Sequence, residues 1–287
     1  MRQKNGFTMV ELLIAMAISS FVMAAVYAIH RSQQKAYVAQ DQAATMQQNL
    51  RGGMYFLQKG IRMAGSDPND NVGATVSAAG SNSMSFTRQY TEDFRDQDNS
   101  GDQNGAEPFL DYNGNGNWDS GAAFTIQYFL VDSDGDGVND TLATNGGGAN
   151  LWIAENIQAV GFAYAFDKSP LDGELDMAGG NTIWAIDTDG NGTLDLNLDS
   201  NLDGNIDAAD DTDGDGTTID GAAIGGPTVN LADIRSVRIW LLARANREDD
   251  SFYNDTRYVL ADRIITPNDS VRRELMIMDV KCRNMGL

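Results

Sequence analysis

Cysteine occurs once, at Cys282, so no intramolecular disulfide can staple this chain. Histidine also occurs once, at His30, which removes His-based triads, His-rich zinc sites and most general-base schemes. Proline is scarce, and the first is Pro68, so nothing of that kind interrupts a helix before it. Cations are outnumbered, 20 Lys and Arg against 41 Asp and Glu, a formal net charge of −21. That balance disfavours nucleic acid and anionic membrane surfaces as electrostatic partners. Paired carboxylates suited to glycoside hydrolysis are abundant, but nothing in the pattern marks one with a raised pKa in an apolar pocket. The chain is therefore not read as an enzyme.

The acid is unevenly placed. Between Glu92 and Asp220 there are 28 acidic and 2 basic residues, net −26, which leaves 13 acidic and 18 basic elsewhere, net +5. A near-neutral frame thus carries a strongly acidic insertion over about 92–225. Like charge at that density repels itself unless cations bind or the segments stay solvated.

The frame opens with a basic leader, residues 1–6, containing Arg2 and Lys4. Residues 7–29 form an apolar run of 23 residues with Glu11 its one charged member. As a helix at about 1.5 Å per residue it would be roughly 35 Å long, enough to cross a hydrocarbon layer. A cleaved secretory signal shares the basic start and the apolar stretch, and Ala15-Met16-Ala17 offers a small-residue site. The internal carboxylate and the helical pattern that continues beyond the run argue against it.

That continuation, residues 30–66, is one-sided. Met46, Leu50, Met54, Leu57, Ile61 and Ala64 recur in steps of three and four, predicting one buried stripe. Helix is expected from about Phe7 to about Ala64, with Gly52-Gly53 the place for a bend.

Within hydrocarbon, a charged Glu11 demands a cationic partner. If the leader were removed after Gly6, the free amine of Phe7 in a neighbouring subunit would supply one. The alternative places Glu11 at the headgroup boundary with no partner.

Residues 67–287 read as a β-rich domain. Strands are expected at Ser83–Arg88, Phe124–Val131, Ile157–Phe166, Ile234–Ala245 and Glu274–Cys282. In the clearest, Val237, Ile239 and Leu241 would face the core while Arg238, Trp240 and Leu242 face away. The fold class expected is α+β, a long N-terminal helix packed on an antiparallel sheet with acidic loop insertions. Trp152, Trp184, Tyr164 and Cys282 are read as packing residues, and His30 as marking the membrane boundary.

The insertion repeats oxygen ligands two residues apart around a glycine. Asp132, Asp134, Asp136 and Asp140 form one such unit; Asp187, Asp189, Asn191 and Asp195 a second; Asp199, Asn201, Asp203 and Asp207 a third; Asp211, Asp213, Asp215 and Asp220 a fourth. Asp111, Asn113, Asn115 and Asp119 give an amide-rich fifth, and Asp96 with Asp98 a weaker sixth. A hard cation such as calcium takes about six to eight oxygens, and the glycine lets the loop turn around it. These loops resemble the ligand half of EF-hands and the type 3 repeats of thrombospondin-like proteins. The usual bidentate Glu at the twelfth position is missing; only the loop starting at Asp199 has an acid there, Asp210. Several calcium ions of modest affinity are expected, and the competing reading is a solvated acidic linker. Phased glycines favour metal.

The string Gly6-Phe7-Thr8-Met9-Val10-Glu11-Leu12-Leu13-Ile14-Ala15 resembles the cleavage and methylation motif of type IV prepilins and type II secretion pseudopilins. Leu57 through Gly65 resembles the end of the long helix in the PilW group of minor pilins, and Val271 through Asn284 is similar to the closing strand of that group and of J-type minor pseudopilins. The resemblance implies cleavage by a prepilin peptidase after Gly6, methylation of Phe7 and an assembly role for Glu11. It implies a single-pass inner-membrane precursor that moves into a pilus filament or tip at the cell surface. Its partners would be other minor pilins, the major pilin, the inner-membrane assembly machinery and a tip adhesin. A J-type pseudopilin of a type II secretion system and a pilin-anchored calcium-dependent adhesin are the alternatives. The chain departs from many pilins in lacking a proline in the apolar helix and a cysteine pair near the C-terminus.

Overall fold

The structure is a computed structural model and describes residues 8–67, 73–91, 107–108, 120–146, 150–168 and 170–286. Helix α1 spans Met9–Ile61. The chain divides into two compact units, Met1–Thr45 and Met46–Leu287. The first contains the apolar part of α1, and the second the last turns of α1 together with all the strands.

In the second unit one antiparallel sheet follows chain order: β1 (Val76–Ala79), β2 (Met84–Thr91), β3 (Ser120–Val131), β4 (Thr141–Asn145) and β5 (Leu151–Ala154). Next come β6 (Ile157–Phe166) and the two-residue strands β7 (Met177–Ala178), β8 (Asn181–Thr182), β9 (Ala185–Ile186), β10 (Thr193–Leu194), β11 (Leu196–Asn197), β12 (Ala222–Ala223) and β13 (Val229–Asn230). The long β14 (Ile234–Glu248), the hairpin β15 (Tyr258–Leu260) and β16 (Arg263–Ile265), and β17 (Val271–Lys281) complete the chain. A six-stranded sheet runs β12-β11-β9-β6-β14-β17, with β14 antiparallel to both β6 and β17. All five expected strands are present. They lie in two sheets where one was expected, joined where Phe162 N donates to Ser81 O at 2.9 Å and Asp187 N to Ala79 O at 3.1 Å. Strands β3 to β6 pass through the middle of the acidic stretch, so the acid is carried on connections between core strands.

The stripe is buried at Met46, Leu50, Met54, Leu57 and Ile61 of α1 and at Ala64 in the turn that follows it, each at or below 5% exposure. Each large apolar side chain so buried contributes about 1.5–3 kcal/mol. Helix runs through Gly52-Gly53 without a break. Gly53 serves close approach: a Cβ there would lie 3.2 Å from Leu241 Cδ1 and 3.3 Å from Leu142 Cδ2. Gly60, two turns later, is tighter, because a Cβ would overlap Tyr128 Oη at 1.8 Å. Asn49 Nδ2 ties the helix to Glu155 O at 2.8 Å.

Strand β14 is buried on both faces, and the half-buried reading is corrected: Trp240 and Leu242 are as enclosed as Val237, Ile239 and Leu241. The cause is the β15–β16 hairpin. Leu260 and Ala261 come so close to β6 that a Cβ on Gly161, the partner of Trp240, would stand 3.0 Å from Leu260 C. Tyr164, Trp184 and Cys282 are core residues as expected. Burial raises the Cys282 thiol to about 12, so it packs as a neutral apolar group. Trp152 is the exception. It stands 62% exposed on the edge strand β5 beside an exposed Leu151, because only one neighbour, β4, covers that edge.

Candidate N-terminal segment and metal-binding loops

In the first unit every large apolar residue from Met9 to Ile29 is exposed, including Leu13, Phe21, Met23 and Tyr27. The helix is long and apolar enough to span a membrane. Glu11 is the only charged residue between Thr8 and Ile29. Thr8 N donates to Glu11 Oε2 at 2.8 Å and Thr8 Oγ1 to the same oxygen at 2.9 Å, while Glu11 N donates to Thr8 Oγ1 at 3.3 Å. This is a reciprocal capping box that satisfies orphan donors of the first turn. The Thr8-x-x-Glu11 spacing carries that signal in the sequence. Gly6 and Phe7 lie outside the described residues. His30, at the end of the apolar run, is exposed and sits 3.1 Å from Gln34 Nε2 through its own Nε2.

Four acidic loops in the second unit share one hydrogen-bond pattern, the third differing by one residue in the first bond. In the β3–β4 connection Asp132 accepts from Gly135 N at 2.7 Å and Gly137 N at 2.8 Å, Asp134 from Asp136 N at 3.2 Å, and Asp136 from Val138 N at 2.8 Å. Asp187 likewise accepts from Gly190 N and Gly192 N, Asp189 from Asn191 N, and Asn191 from Thr193 N. In the third loop Asp199 accepts from Asp203 N and Gly204 N, Asn201 from Asp203 N, and Asp203 from Asn205 N. In the fourth Asp211 accepts from Gly214 N and Gly216 N, Asp213 from Asp215 N, and Asp215 from Thr217 N. The turn needs positive φ at the fourth and sixth positions. Glycine supplies it at Gly135, Gly137, Gly190, Gly192, Gly204, Gly214 and Gly216, whereas the third loop has Leu202 at φ 61°. These backbone donors lower the pKa of Asp132, and the Thr217 hydroxyl with the backbone beside it lowers that of Asp215.

Three groups of carboxylates converge, with ligand atoms within 4.8 Å of one another: Asp132, Asp134 and Asp136; Asp187, Asp189 and Asp195; Asp211, Asp213 and Asp215. The donors are all oxygens, and the backbone turn keeps them close despite their mutual repulsion. That chemistry fits a hard divalent cation and not a soft one.

The residues closing each loop behave differently from the repeat. Asp140 is ion-paired to Arg244 Nη2 at 2.9 Å, tying the first loop to β14. Asp195 accepts from Thr188 Oγ1 at 2.7 Å and Thr188 N at 3.2 Å. Asp220 accepts from Thr212 Oγ1, Thr212 N and Asp213 N, and the threonine hydroxyl leads in lowering its pKa. Asp207 accepts from Ala209 N at 2.7 Å. The third loop is closed by the fully buried Asp210, which accepts from Ser200 N at 2.8 Å, Asn201 N at 3.3 Å and Asp207 N at 3.0 Å.

A further acidic turn escaped the spacing. Buried Asp167 accepts from Asp172 N at 3.3 Å and Gly173 N at 2.9 Å, but Ser169-Pro170 between them breaks the alternation that marks the other loops. Asp111, Asn113, Asn115 and Asp119, with Asp96 and Asp98, lie outside the described residues.

The family model described as the prokaryotic N-terminal methylation motif matches residues 1–27. No curated protein matches the chain. Among solved structures the chain is similar to the type IV-like pilin TTHA1219 from Thermus thermophilus, at 13% identity and a TM-score of 0.41, over 84% of this chain and 96% of that one. The chain therefore begins with a prokaryotic N-terminal methylation motif, which leads into a membrane-length apolar helix and an α+β domain.

Proposed function

We propose that the chain is a minor pilin of the PilW type, a structural subunit that waits in the inner membrane and then joins a type IV pilus, priming its assembly or sitting at its tip. The observation that carries this reading is the methylation motif joined to an apolar helical span whose single charge is Glu11. A prepilin peptidase would cut after Gly6 and leave Phe7 with a methylated amine. In the isolated subunit Glu11 is satisfied by Thr8. On assembly the carboxylate would exchange that cap for the amine of a neighbouring subunit, as the helix passes from lipid into a core of neighbouring helices. The rest of the α+β domain would contact other minor pilins and the major pilin.

The acidic loops are read as calcium sites. Asp132, Asp134, Asp136 and Asp140; Asp187, Asp189, Asn191 and Asp195; Asp199, Asn201, Asp203 and Asp207; and Asp211, Asp213, Asp215 and Asp220 would hold the ions. Calcium would neutralise the clustered carboxylates and stiffen connections that no disulfide restrains.

The test replaces Glu11 by Ala. The variant is expected to insert in the membrane at the normal level and to be missing from sheared filaments. Filament incorporation equal to that of the unaltered chain would overturn the proposed role of Glu11.

A further inference from the structure

Leu241 of β14 faces α1 at Gly53, so Trp240 and its alternate neighbours lie on the opposite face of the sheet. Along that face Arg238 and Ser236 floor a cleft of about 370 Å³. Their register partners on β17, Asp279 and Lys281, line it beside them. Asn181 and Thr182 of β8 and Gly204 of the third acidic loop line it as well. The polar groups are preset. Arg238 Cζ stands 4.3 Å from the centroid of the buried Trp184 ring, and Nε and Nη2 donate to the two Asp279 carboxylate oxygens at 2.7 and 2.9 Å. Such a fork sets guanidinium N–H donors and carboxylate lone pairs side by side in one plane. The Asp279 side chain keeps 47% exposure, so its remaining lone pairs are open to a ligand. Asn181 is fixed too: its Nδ2 donates to Leu202 O at 2.8 Å, and a Cβ at Gly204 would stand 2.8 Å from its Oδ1.

We infer that this cleft binds a hydroxylated carboxylate the size of one sugar-acid residue. Its volume lies near the lower end for ligand cavities, about 300–1,000 Å³, which limits the occupant to about one ring. Paired donors and acceptors at Arg238 and Asp279 match neighbouring hydroxyls, each of which both gives and accepts a hydrogen bond. Leu175 and Trp184 supply apolar surface for the C–H face of such a ring. Lys281, exposed and in no ion pair among the described residues, takes the carboxylate. Gly204 belongs to the loop whose Asp199 accepts its N–H, so an ion in that loop would hold this wall and offset carboxylates that repel an anion. Only this metal dependence rests on the calcium reading.

The test titrates the full chain in detergent with galacturonate, with galactose as its uncharged match and glycerate as an open-chain hydroxy acid. In calcium, galacturonate is expected to bind saturably at one site, about fivefold more tightly than galactose, the upper end for an exposed charge pair. Lys281→Gln should bring galacturonate down to the galactose affinity, Lys281→Arg should retain it, and Lys59→Gln on α1 should change nothing. Thr182→Tyr, which fills the cleft, should abolish binding of both sugars while leaving the calcium dependence of the Tm intact. Glycerate binding as tightly as galacturonate supports the same site and assigns it to free hydroxy acids. No saturable galacturonate binding, or binding indifferent to Lys281→Gln or Thr182→Tyr, overturns the inference. Galacturonate binding unchanged by chelation supports the cleft and overturns its coupling to the third loop.

Discussion

Two helical glycines separate helix propensity from packing within one element. Alanine is favoured over glycine in a helix interior by about 1 kcal/mol. A Cβ at Gly52 meets nothing within 4 Å, so Gly52→Ala should gain most of that amount. At Gly60 the Cβ would stand 1.8 Å from Tyr128 Oη and 2.9 Å from Cζ. Tyr128 cannot swing clear easily: it is 5% exposed, packs against Phe86 at 6.1 Å, and is buried enough to push its phenol up to about 12. Overpacking of this kind costs about 1–3 kcal/mol, which outweighs the propensity gain. Gly60→Ala should therefore be net destabilising by about 1 kcal/mol, leaving the two variants roughly 2 kcal/mol apart. For a domain of this size that separates their Tm values by about 4–8 °C. Thermal unfolding of the detergent-solubilised chain, followed by circular dichroism, reads the difference. Adding Tyr128→Phe removes the nearest atom and should recover about 1 kcal/mol of the Gly60→Ala loss as a non-additive term. If Gly60→Ala melts at or above Gly52→Ala, the close approach of α1 to β3 described here is wrong.

Chelation should lower the Tm of the calcium-loaded chain, because an ion bound only by the folded state stabilises it; an unchanged melt would return the loops to solvated linkers. Asp134→Ala is expected to reduce the calcium-dependent part of the Tm and little else. Asp140→Ala removes the partner of a half-buried Arg244 and should lower the Tm with or without calcium; a loss confined to the calcium-loaded chain would assign Asp140 to the metal and not to the ion pair. Asp249 is held down to about 2, first by the Ser251 hydroxyl and then by Arg272, so its stabilising contribution is full above the ordinary aspartate value and is lost as pH falls towards about 2. Asp249→Asn should flatten that acid limb in a pH series of melts, and an unchanged limb would assign it to other carboxylates.

Periodicity made much of this fold readable. The stripe from Met46 to Ala64 is legible because a helix laid on a sheet leaves only one face to bury, and long strands such as β6 and β14 announce themselves by β-branched and aromatic content. The second covered face of β14 was not legible, since the β15–β16 hairpin that covers it is built of two three-residue strands and shows no strand-length pattern. Trp152 misled for the reverse reason: its aliphatic neighbours look like core, but β5 is an edge. In the loops, alternation around glycine identified the four turns. The roles of their closing acids depend on three-dimensional neighbours, such as Arg244 beside Asp140 and Ser200 beside Asp210, that the loop sequence does not contain. Gly60 likewise gives no sign in the sequence of the tyrosine it makes room for.

The proposed subunit is processed at its N-terminus and enters a filament through that segment. Mass spectrometry of the chain recovered from sheared filaments tests it most directly. The expected polypeptide has lost Met1 to Gly6 and begins with methylated Phe7. A chain still bearing Met1, or filaments made in its presence that contain none of it, would contradict it.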